Sequence, residues 1–226
     1  MPKPFEVNPK VMQAIRPMTA DDVARIAHLH AAAMGTSLWA QLGERFLRNL
    51  YRALLKTPQF LGFVYETNGQ IEGFIAGSTH TEKMMKRAFI RHAPRLGVAA
   101  ILGLRKWSVA YKLLETASYF NQSSLQLEHS INAESLFCSF TPSTRGKRIS
   151  GHINKVLFDT LLALGHSSVK ITTETDNVGA NRQLQSWGFI DMGQFEFYGK
   201  EMVCYTLDFE NSDRVAARDW RLKRQT

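Results

Sequence analysis

The chain has 226 residues, of which 44% are apolar and 21% are charged. This length and composition favour one folded domain that buries roughly 70% of its unfolded surface, and they exclude disordered, collagen-like and disulfide-scaffold chains. Lys and Arg outnumber Asp and Glu by 28 to 20, so the formal net charge is +8. Residues 80–112, the basic cluster, hold eight basic residues and one acidic residue and carry +7 of that charge. The cluster can attract phosphate, nucleic acid or an anionic membrane face, or it can form a solvated helix face.

Nothing in the sequence predicts secretion or membrane insertion. Residues 1–10 are polar and contain proline, unlike a secretory signal. The longest apolar run, residues 96–104, has nine residues, whereas a membrane-spanning helix needs roughly 20. Cys138 and Cys204 lie in apolar runs that favour small buried hydrophobic residues and a reducing compartment. We therefore expect a cytoplasmic protein without a membrane partner.

The first third of the chain predicts a strand, two helices and a hairpin. Apolar residues recur at helical spacing after a Thr19 cap, and again before Thr57-Pro58. Two runs of strand character are then joined by Asn68-Gly69, the dipeptide most typical of a tight hairpin turn. The predicted elements are a strand over 11–16, helices over 19–34 and 38–56, and strands over 60–67 and 70–78.

The rest of the chain alternates strands and helices after an insertion. Residues 80–132 predict a basic helical insertion, broken at Pro94 and Gly103. A basic tail occupies residues 210–226. The elements predicted between them are strands over 133–141, 169–175, 190–197 and 202–209, and helices over 145–164 and 176–187. This order predicts an α+β fold, a single domain over residues 1–226 with one mixed sheet.

Several kinds of active site have no support in the sequence. It contains no P-loop, dinucleotide-binding, zinc-protease, serine-hydrolase or CxxC motif. His28 and His30 lie two residues apart on a helix and cannot share one face, so we expect no metal.

The most informative feature is a strand, a turn and a helix over residues 136–151, LFCSFTPSTRGKRISG. The strand stops at Pro142, and a turn rich in Arg, Gly, Lys and Ser leads into the helix. Unpaired N–H groups at a helix start bind anions, and cations in the turn would complement a diphosphate. The alternative is that Gly146 and Gly151 only shape the turn and that its cations are solvated.

Three segments resemble the Gcn5-related N-acetyltransferase (GNAT) superfamily. Arg145-Gly-Lys-Arg-Ile-Ser150 resembles its Q/R-x-x-G-x-G/A coenzyme A loop. Asn177-x-x-Ala180, followed by Gly188-Phe189, resembles its N-x-x-A-x-x-x-Y-x-x-x-G-F helix. Residues 133–141 resemble the fourth strand of the histone-acetylating branch, in which a glutamate at the Glu134 position is the base. The resemblance covers most of the chain outside residues 80–132 and the tail.

The resemblance implies a GNAT domain whose sheet is mixed, mostly antiparallel and flanked by helices, with the insertion between the third and fourth strands. It implies acetyl-CoA as co-substrate, with the diphosphate on the turn amides and the pantetheine arm along the fourth strand. Glu134 would be the catalytic base, acting directly or through water. The residues implied for coenzyme binding are Phe137, Cys138, Ser139, Phe140, Arg145, Gly146, Lys147, Arg148, Ile149, Ser150, Gly151, Asn177 and Asn181.

Two residues depart from the family pattern. Arg148 stands where the loop has glycine, and Leu184 stands where the helix has the tyrosine that protonates the departing thiolate. His129 and Tyr198 are reserve candidates for base and acid. For Glu134 the alternative is a carboxylate at a strand end, and for Asn177 it is helix initiation.

The favoured function is transfer of acetyl from acetyl-CoA to a primary amine by direct attack. We favour a small-molecule acceptor over a protein, and an anionic one if Lys83, Lys86, Arg87 and Arg91 border the acceptor site. A homodimer is left open. The alternatives are a catalytically weak acyl-CoA-binding module and, ranked last, a nucleic-acid-binding protein that uses residues 80–112.

Overall fold

The strands form a single sheet. The computed structural model describes residues 6–34, 37–103, 131–197 and 199–216. The strands are β1 (Ile15–Pro17), β2 (Phe60–Thr67), β3 (Gln70–Ser78), β4 (Glu134–Phe140), β5 (Ser168–Glu174), β6 (Ile190–Phe197) and β7 (Lys200–Asp208). Their order across the sheet is β1-β2-β3-β4-β5-β7-β6. Only the β4–β5 pair is parallel among these strands, so the predicted mixed, mostly antiparallel sheet is confirmed.

Helices cover both faces of this sheet. They are α1 (Pro9–Gln13), α2 (Val23–Ala33), α3 (Leu38–Gln41), α4 (Gly43–Leu54), α5 (Thr81–Gly103), α6 (Ile149–Ala163) and α7 (Val178–Ser186). The apolar faces of α2, α4 and α5 share one core with β2, β3 and β4. Residues of α1, α6 and α7 form a second core on the opposite face. The α+β fold with helices on both faces is therefore confirmed.

Helix α6 is almost completely buried. Nearly every α6 side chain from Ile149 to Leu161 is buried, as expected for a helix that packs on several sides. The buried Lys155 ammonium lies 3.1 Å from the Asp159 carboxylate and donates to the Arg214 carbonyl, while the Ala216 N–H donates to Asp159. The described part of the basic tail, 210–216, is therefore packed against α6.

Four predicted boundaries were wrong. The helix predicted over 145–164 begins only at Ile149, because residues 145–148 form the turn before it. Residues 11–13 are helical rather than extended, because the Asn8 carboxamide caps α1 and Pro9 suits its first position. The helix predicted over 38–56 is divided at Gly43, which has a positive φ. α5 continues through Pro94 to Gly103, because a proline removes one backbone hydrogen bond while the turns on either side remain. The remainder of the insertion, 104–130, lies outside the described residues.

A buried polar pair lies in the core beneath β4. The fully buried His30 ring packs 4.8 Å from the Phe137 ring, and its Nδ1 lies 2.7 Å from the Tyr51 hydroxyl. Its Nε2 has no hydrogen-bond partner among the described residues. Burial lowers the pKa of His30 to about 4. His30 is therefore neutral at physiological pH, and protonating it would place an unpaired charge in the core.

We expect the protein to lose stability in mild acid because of His30. Between about pH 6.5 and 4 the unfolded histidine binds a proton and the folded one does not, so the free energy of unfolding falls as pH falls through this window. The loss should be on the order of 3 kcal/mol. Denaturant unfolding at pH 7.5 and pH 5 should show about 2 kcal/mol of this loss, because pH 5 lies about 1.5 units below the unfolded pKa.

The matched variant is His30→Phe combined with Tyr51→Phe, which replaces both polar partners with rings of similar shape. This double variant should keep its stability at neutral pH and lose the His30 part of the acid dependence. An unchanged acid dependence in the double variant would contradict the assignment to His30.

Candidate active site

β4 and β5 separate soon after they begin. They pair at Glu134–Lys170 and Ser135–Ile171, and the Lys170 N–H donates to the Ala133 carbonyl at 3.0 Å. Beyond Ser135, β4 has no strand partner on this side within the described chain, whereas β5 pairs with β7 along its whole length. The gap, called the wedge below, opens toward the carboxyl end of β4.

A bulge on the other edge of β4 accompanies this separation. The register between β3 and β4 shifts between Ala76 and Gly77, which leaves Leu136 as an extra residue on β4. Such a bulge bends and twists its strand. Gly77 allows the close approach, because a Cβ there would lie 2.9 Å from the Glu134 carbonyl oxygen. The sequence therefore bends β4 at the point where its pairing with β5 ends.

An open cavity of about 460 Å³ lies at the wide end of the wedge. It is lined by the end of β4, the turn after it and the start of α6, with Ala33 of α2 on the far side. The Ser139 hydroxyl donates to the Leu29 carbonyl at 3.1 Å and ties β4 to α2. The residues of the sequence-based site that line this cavity are Cys138, Ser139, Phe140, Arg145, Gly146, Arg148, Ile149 and Ser150.

Residues of the turn before α6 and of its first turn line this cavity, so their backbone N–H groups are the candidate donors to an anion. Two amides of the turn before α6 are used inside that turn, since the Arg145 N–H donates to Pro142 and the Lys147 N–H donates to Thr144. In the described part of the chain, the N–H groups of residues 149–151 have no backbone acceptor, as expected for the first turn of a helix. The anion site predicted over 145–151 thus has its available amides mainly at the start of α6.

Arg148 holds an unusual conformation at this helix start. Its φ of 56° and ψ of 22° are left-handed, the conformation that glycine adopts without strain, and it is the N-cap of α6. The buried His152 ring fixes its carbonyl, because His152 Nδ1 lies 2.8 Å from the Arg148 oxygen. His152 Nε2 accepts the Asn8 N–H at 2.9 Å, so Nδ1 carries the proton and donates. The backbone therefore keeps the loop shape although the side chain is not glycine.

We expect Arg148→Gly to stabilise the protein. A left-handed conformation costs a non-glycine residue roughly 1–2 kcal/mol. Glycine removes this cost, but part of the stabilisation is offset by the greater freedom of glycine in the unfolded chain. The free energy of unfolding should rise by roughly 0.5–1 kcal/mol. Denaturant unfolding measures this change.

Gly146→Ala is the matched control, because Gly146 has a φ of 76° in the same turn and alanine should destabilise it. If Arg148→Gly lowered stability, the Arg148 side chain would contribute more to folding than its strain costs.

Glu134 lies at the narrow end of the wedge. It is half-buried, and it is in register with Ser78 of β3 on one side and Lys170 of β5 on the other. Residues opposite one another in register share a face of the sheet. Glu134 does not line the cavity at Cys138, from which it is about 13 Å away along the strand. The proposed base and the proposed diphosphate site thus lie at opposite ends of the wedge.

Two histidines near Glu134 were missed by the sequence analysis. His80 follows Ser78, and its N–H donates to the Ser78 hydroxyl at 3.0 Å. Burial and the charges of Lys83 and Lys170 lower the pKa of His80, and burial and the charge of His80 lower the pKa of His166. Both imidazoles are therefore mainly neutral at pH 7. No sequence motif contains them, and only the strand register brings them near β4.

The two asparagines contact the protein rather than the cavity. The Asn177 carboxamide oxygen accepts the Ala180 N–H at 3.2 Å and caps α7, which is the helix-initiating role that the sequence analysis gave as the alternative. Asn181 donates to the carbonyls of Glu174 and Thr175, at 3.2 and 3.0 Å. Its buried Oδ1 has no partner among the described residues. Of the two, Asn181 retains an acceptor that a ligand N–H could use.

The remaining site residues divide into those with a described environment and those without one. Leu184 is buried in the core around α6, so no hydroxyl stands at that position. Phe137 packs on His30 and Tyr51 on the α4 side of the sheet. Lys147 and Gly151 belong to the turn and to α6 but are not among the cavity-lining residues. His129 and Tyr198 lie outside the described residues.

Cys138 lines the cavity but is a poor nucleophile. Burial raises the pKa of its thiol to about 12, so it stays protonated at neutral pH. Within the described ranges, no group of three or more His, Cys, Asp or Glu side chains could hold a metal ion. Over the same ranges, no helix is both long enough and apolar enough to cross a bilayer.

This arrangement of strands and helices is the GNAT fold, which the sequence resemblance implied. Solved structures share it over 86% of the chain. One is an N-acetyltransferase from Staphylococcus aureus Mu50, at 16% identity over 96% of that chain with a TM-score of 0.54. A second is the ribosomal-protein-S18-alanine N-acetyltransferase from Escherichia coli, at 11% identity over 92% of that chain with a TM-score of 0.54.

A third solved structure with this fold is the Drosophila melanogaster polyamine N-acetyltransferase, at 14% identity over 98% of that chain with a TM-score of 0.52. No protein-family model matches this sequence, and none of the curated proteins matches it. At these identities the likeness defines the fold, and the function has to be argued from the site.

Proposed function

We propose that this chain is an N-acetyltransferase that moves an acetyl group from acetyl-CoA to a primary amine. The observation that carries the proposal is the wedge between β4 and β5, with the unbonded amides at the start of α6 at its mouth. A free strand edge can pair with an extended amide-bearing arm, and a helix start can hold a diphosphate. Acetyl-CoA has both parts, joined in that order.

The diphosphate would lie on the N–H groups of Ile149, Ser150 and Gly151. Arg145, Lys147 and Arg148 would supply positive charge around it. The pantetheine arm would run from there along the free edge of β4, past Cys138, toward the narrow end of the wedge. A backbone N–H of β4 would polarise the thioester carbonyl, as in an oxyanion site.

Transfer would proceed by direct attack of the amine on the thioester. Glu134, directly or through a water molecule, would take a proton from the acceptor ammonium, and the neutral nitrogen would form the new C–N bond. The C–S bond would then break, the new amide nitrogen would lose its second proton to solvent, and the coenzyme thiolate would leave and take a proton from solvent, since Leu184 offers none. The protonated Cys138 thiol supports this route over an acetyl-cysteine intermediate.

Lys83 and Lys170 support the idea of an anionic acceptor. Both carry charges that act on His80, beside Ser78 and Glu134. They could meet a carboxylate or phosphate on the acceptor while its amine faces the base. An acceptor screen should therefore include amino acids and phosphorylated amines beside polyamines, with thiol release as the readout.

The diphosphate assignment predicts that Ser150→Asp abolishes tight coenzyme binding without unfolding the protein. An aspartate in the first turn of α6 should keep or raise helix stability. It should also repel the diphosphate by roughly 1–4 kcal/mol, which weakens acetyl-CoA binding about fivefold or more. Isothermal titration and thermal melting measure the two effects.

Ala20→Asp is the control, since it places the same charge on an exposed residue in the first turn before α2. It should bind acetyl-CoA as the wild type does. Unchanged binding by Ser150→Asp would contradict the proposed diphosphate site.

The base assignment predicts that Glu134→Gln lowers kcat by about 100- to 10,000-fold. Its acetyl-CoA affinity should stay near the wild-type value, because Glu134 lies at the far end of the wedge from the diphosphate. Steady-state thiol release and titration separate these effects. Near-normal turnover at pH 7 would exclude Glu134 as the base and direct the search to His80.

Leu184 favours a second candidate, an acyl-CoA-binding module with little turnover, because the acid that assists thiolate departure is replaced by a core residue. The same measurements separate the two functions. Tight acetyl-CoA binding with no thiol release across the acceptor panel would favour the module.

A further inference from the structure

The exposed side of α5 combines positive charge with apolar side chains. Successive residues of an α-helix are about 100° apart, and the exposed residues described at 83–92, 97 and 98 fall within an arc of about 140°. This cationic face consists of Lys83, Lys86, Arg87, Ile90, Arg91, Gly97 and Val98. Glu82, also exposed, falls outside the arc. The cations occupy its first turns, and Val98 continues it toward the end of the helix.

The apolar members of this face are open to solvent. Ile90 is 68% exposed and Val98 is 55% exposed, although the helix has already buried Met84, Met85 and Ala88 against the core beside α4. The helix is therefore fixed by one side and presents Ile90 and Val98 to solvent on the other. Single exposed apolar residues are ordinary on a protein surface, so the informative observation is that two of them share one helix face with four cations.

We propose that the cationic face of α5 binds the surface of an anionic phospholipid bilayer. Lys and Arg near such a surface are attracted by the lipid phosphates, while Ile90 and Val98 can enter the headgroup region. Charge complementarity alone would fit a nucleic acid equally well, but exposed branched apolar residues favour lipid. The expectation of no membrane partner rested on spanning length, which a surface contact does not need.

This contact leaves the proposed coenzyme site uncovered, although Lys83 belongs both to the cationic face and to the end of the wedge where the acceptor would bind. α5 begins beside Asn132, whose carbonyl accepts the Thr81 N–H at 3.4 Å, just before β4. The cavity lies at the other end of β4. Binding through the cationic face would therefore leave the mouth of the wedge open. The proposal does not depend on acetyl transfer and is tested without measuring it.

The experiment is cosedimentation of the full chain with vesicles. One set contains phosphatidylcholine alone, and in the other a third of the lipid is phosphatidylglycerol. The wild type should sediment with the anionic vesicles at low salt and be released at high salt. Lys86→Glu combined with Arg87→Glu should weaken binding by roughly 30-fold or more, since each cation contributes about a factor of five.

Two further variants define the contact. Ile90→Ser should weaken vesicle binding while keeping all the charges. Lys10→Glu combined with Arg182→Glu makes the same charge change on exposed residues of α1 and α7, on the other side of the sheet, and should bind as the wild type does. Circular dichroism checks that each variant is folded.

Three results would overturn the proposal. The first is that the wild type binds neither kind of vesicle. The second is that the Lys86/Arg87 double variant binds anionic vesicles as well as the wild type does. The third is that duplex DNA displaces the wild type from the vesicles. The last result would assign the face to nucleic acid.

Discussion

The early end of the pairing between β4 and β5 is the constraint on which the candidate site depends. A sheet normally pairs its interior strands along their length, because unpaired backbone groups are costly. Here β4 is paired with β3 except at the Leu136 bulge, β5 is paired with β7 along its whole length, and two residue pairs join the halves in the described part of the chain. Everything proposed for the coenzyme follows from the strand edge that this separation leaves open.

Helices on both faces hold the two halves together where strand pairing does not. α6 packs against β2, β3, β4 and β5, so one buried helix crosses the separation. On the opposite face, α2 contacts β4 and is hydrogen-bonded to it through Ser139. Packing on both faces thus replaces the backbone hydrogen bonds that are lost where β4 and β5 diverge.

The same helix connects the cavity to both ends of the described chain. Its N-cap carbonyl at Arg148 is held by His152, and His152 in turn accepts the Asn8 N–H. One turn further, Lys155 donates to the Arg214 carbonyl. The left-handed conformation of Arg148 is therefore imposed by contacts around it rather than by local preference, which explains how arginine can occupy a glycine position.

Local chemistry determined how much could be predicted from the sequence. The hairpin boundaries of β2 and β3 were predicted correctly because Asn68-Gly69 fixes both the turn and the register. Residues 11–13 were predicted wrongly because three apolar-rich residues fit either a strand or a capped turn of helix. The residues of the turn after β4 were identified by resemblance. That two of their N–H groups donate within the turn could not be predicted, because it depends on the backbone conformation and not on the spacing of residues in the sequence.

The surroundings of Glu134 could not be predicted, because they come from segments far apart in the chain. His80 follows β3, Lys170 lies on β5 and His166 precedes it, and only the sheet register brings them to one end of the wedge.

In the proposed reaction, the positive charges near Glu134 have a consequence for the acceptor. Lys83 and Lys170 repel the positive charge of an acceptor ammonium. The acceptor is therefore bound more readily at the Glu134 end of the wedge once its amine is neutral. The cations would therefore assist deprotonation before the base acts, and they would favour acceptors whose other groups are negative.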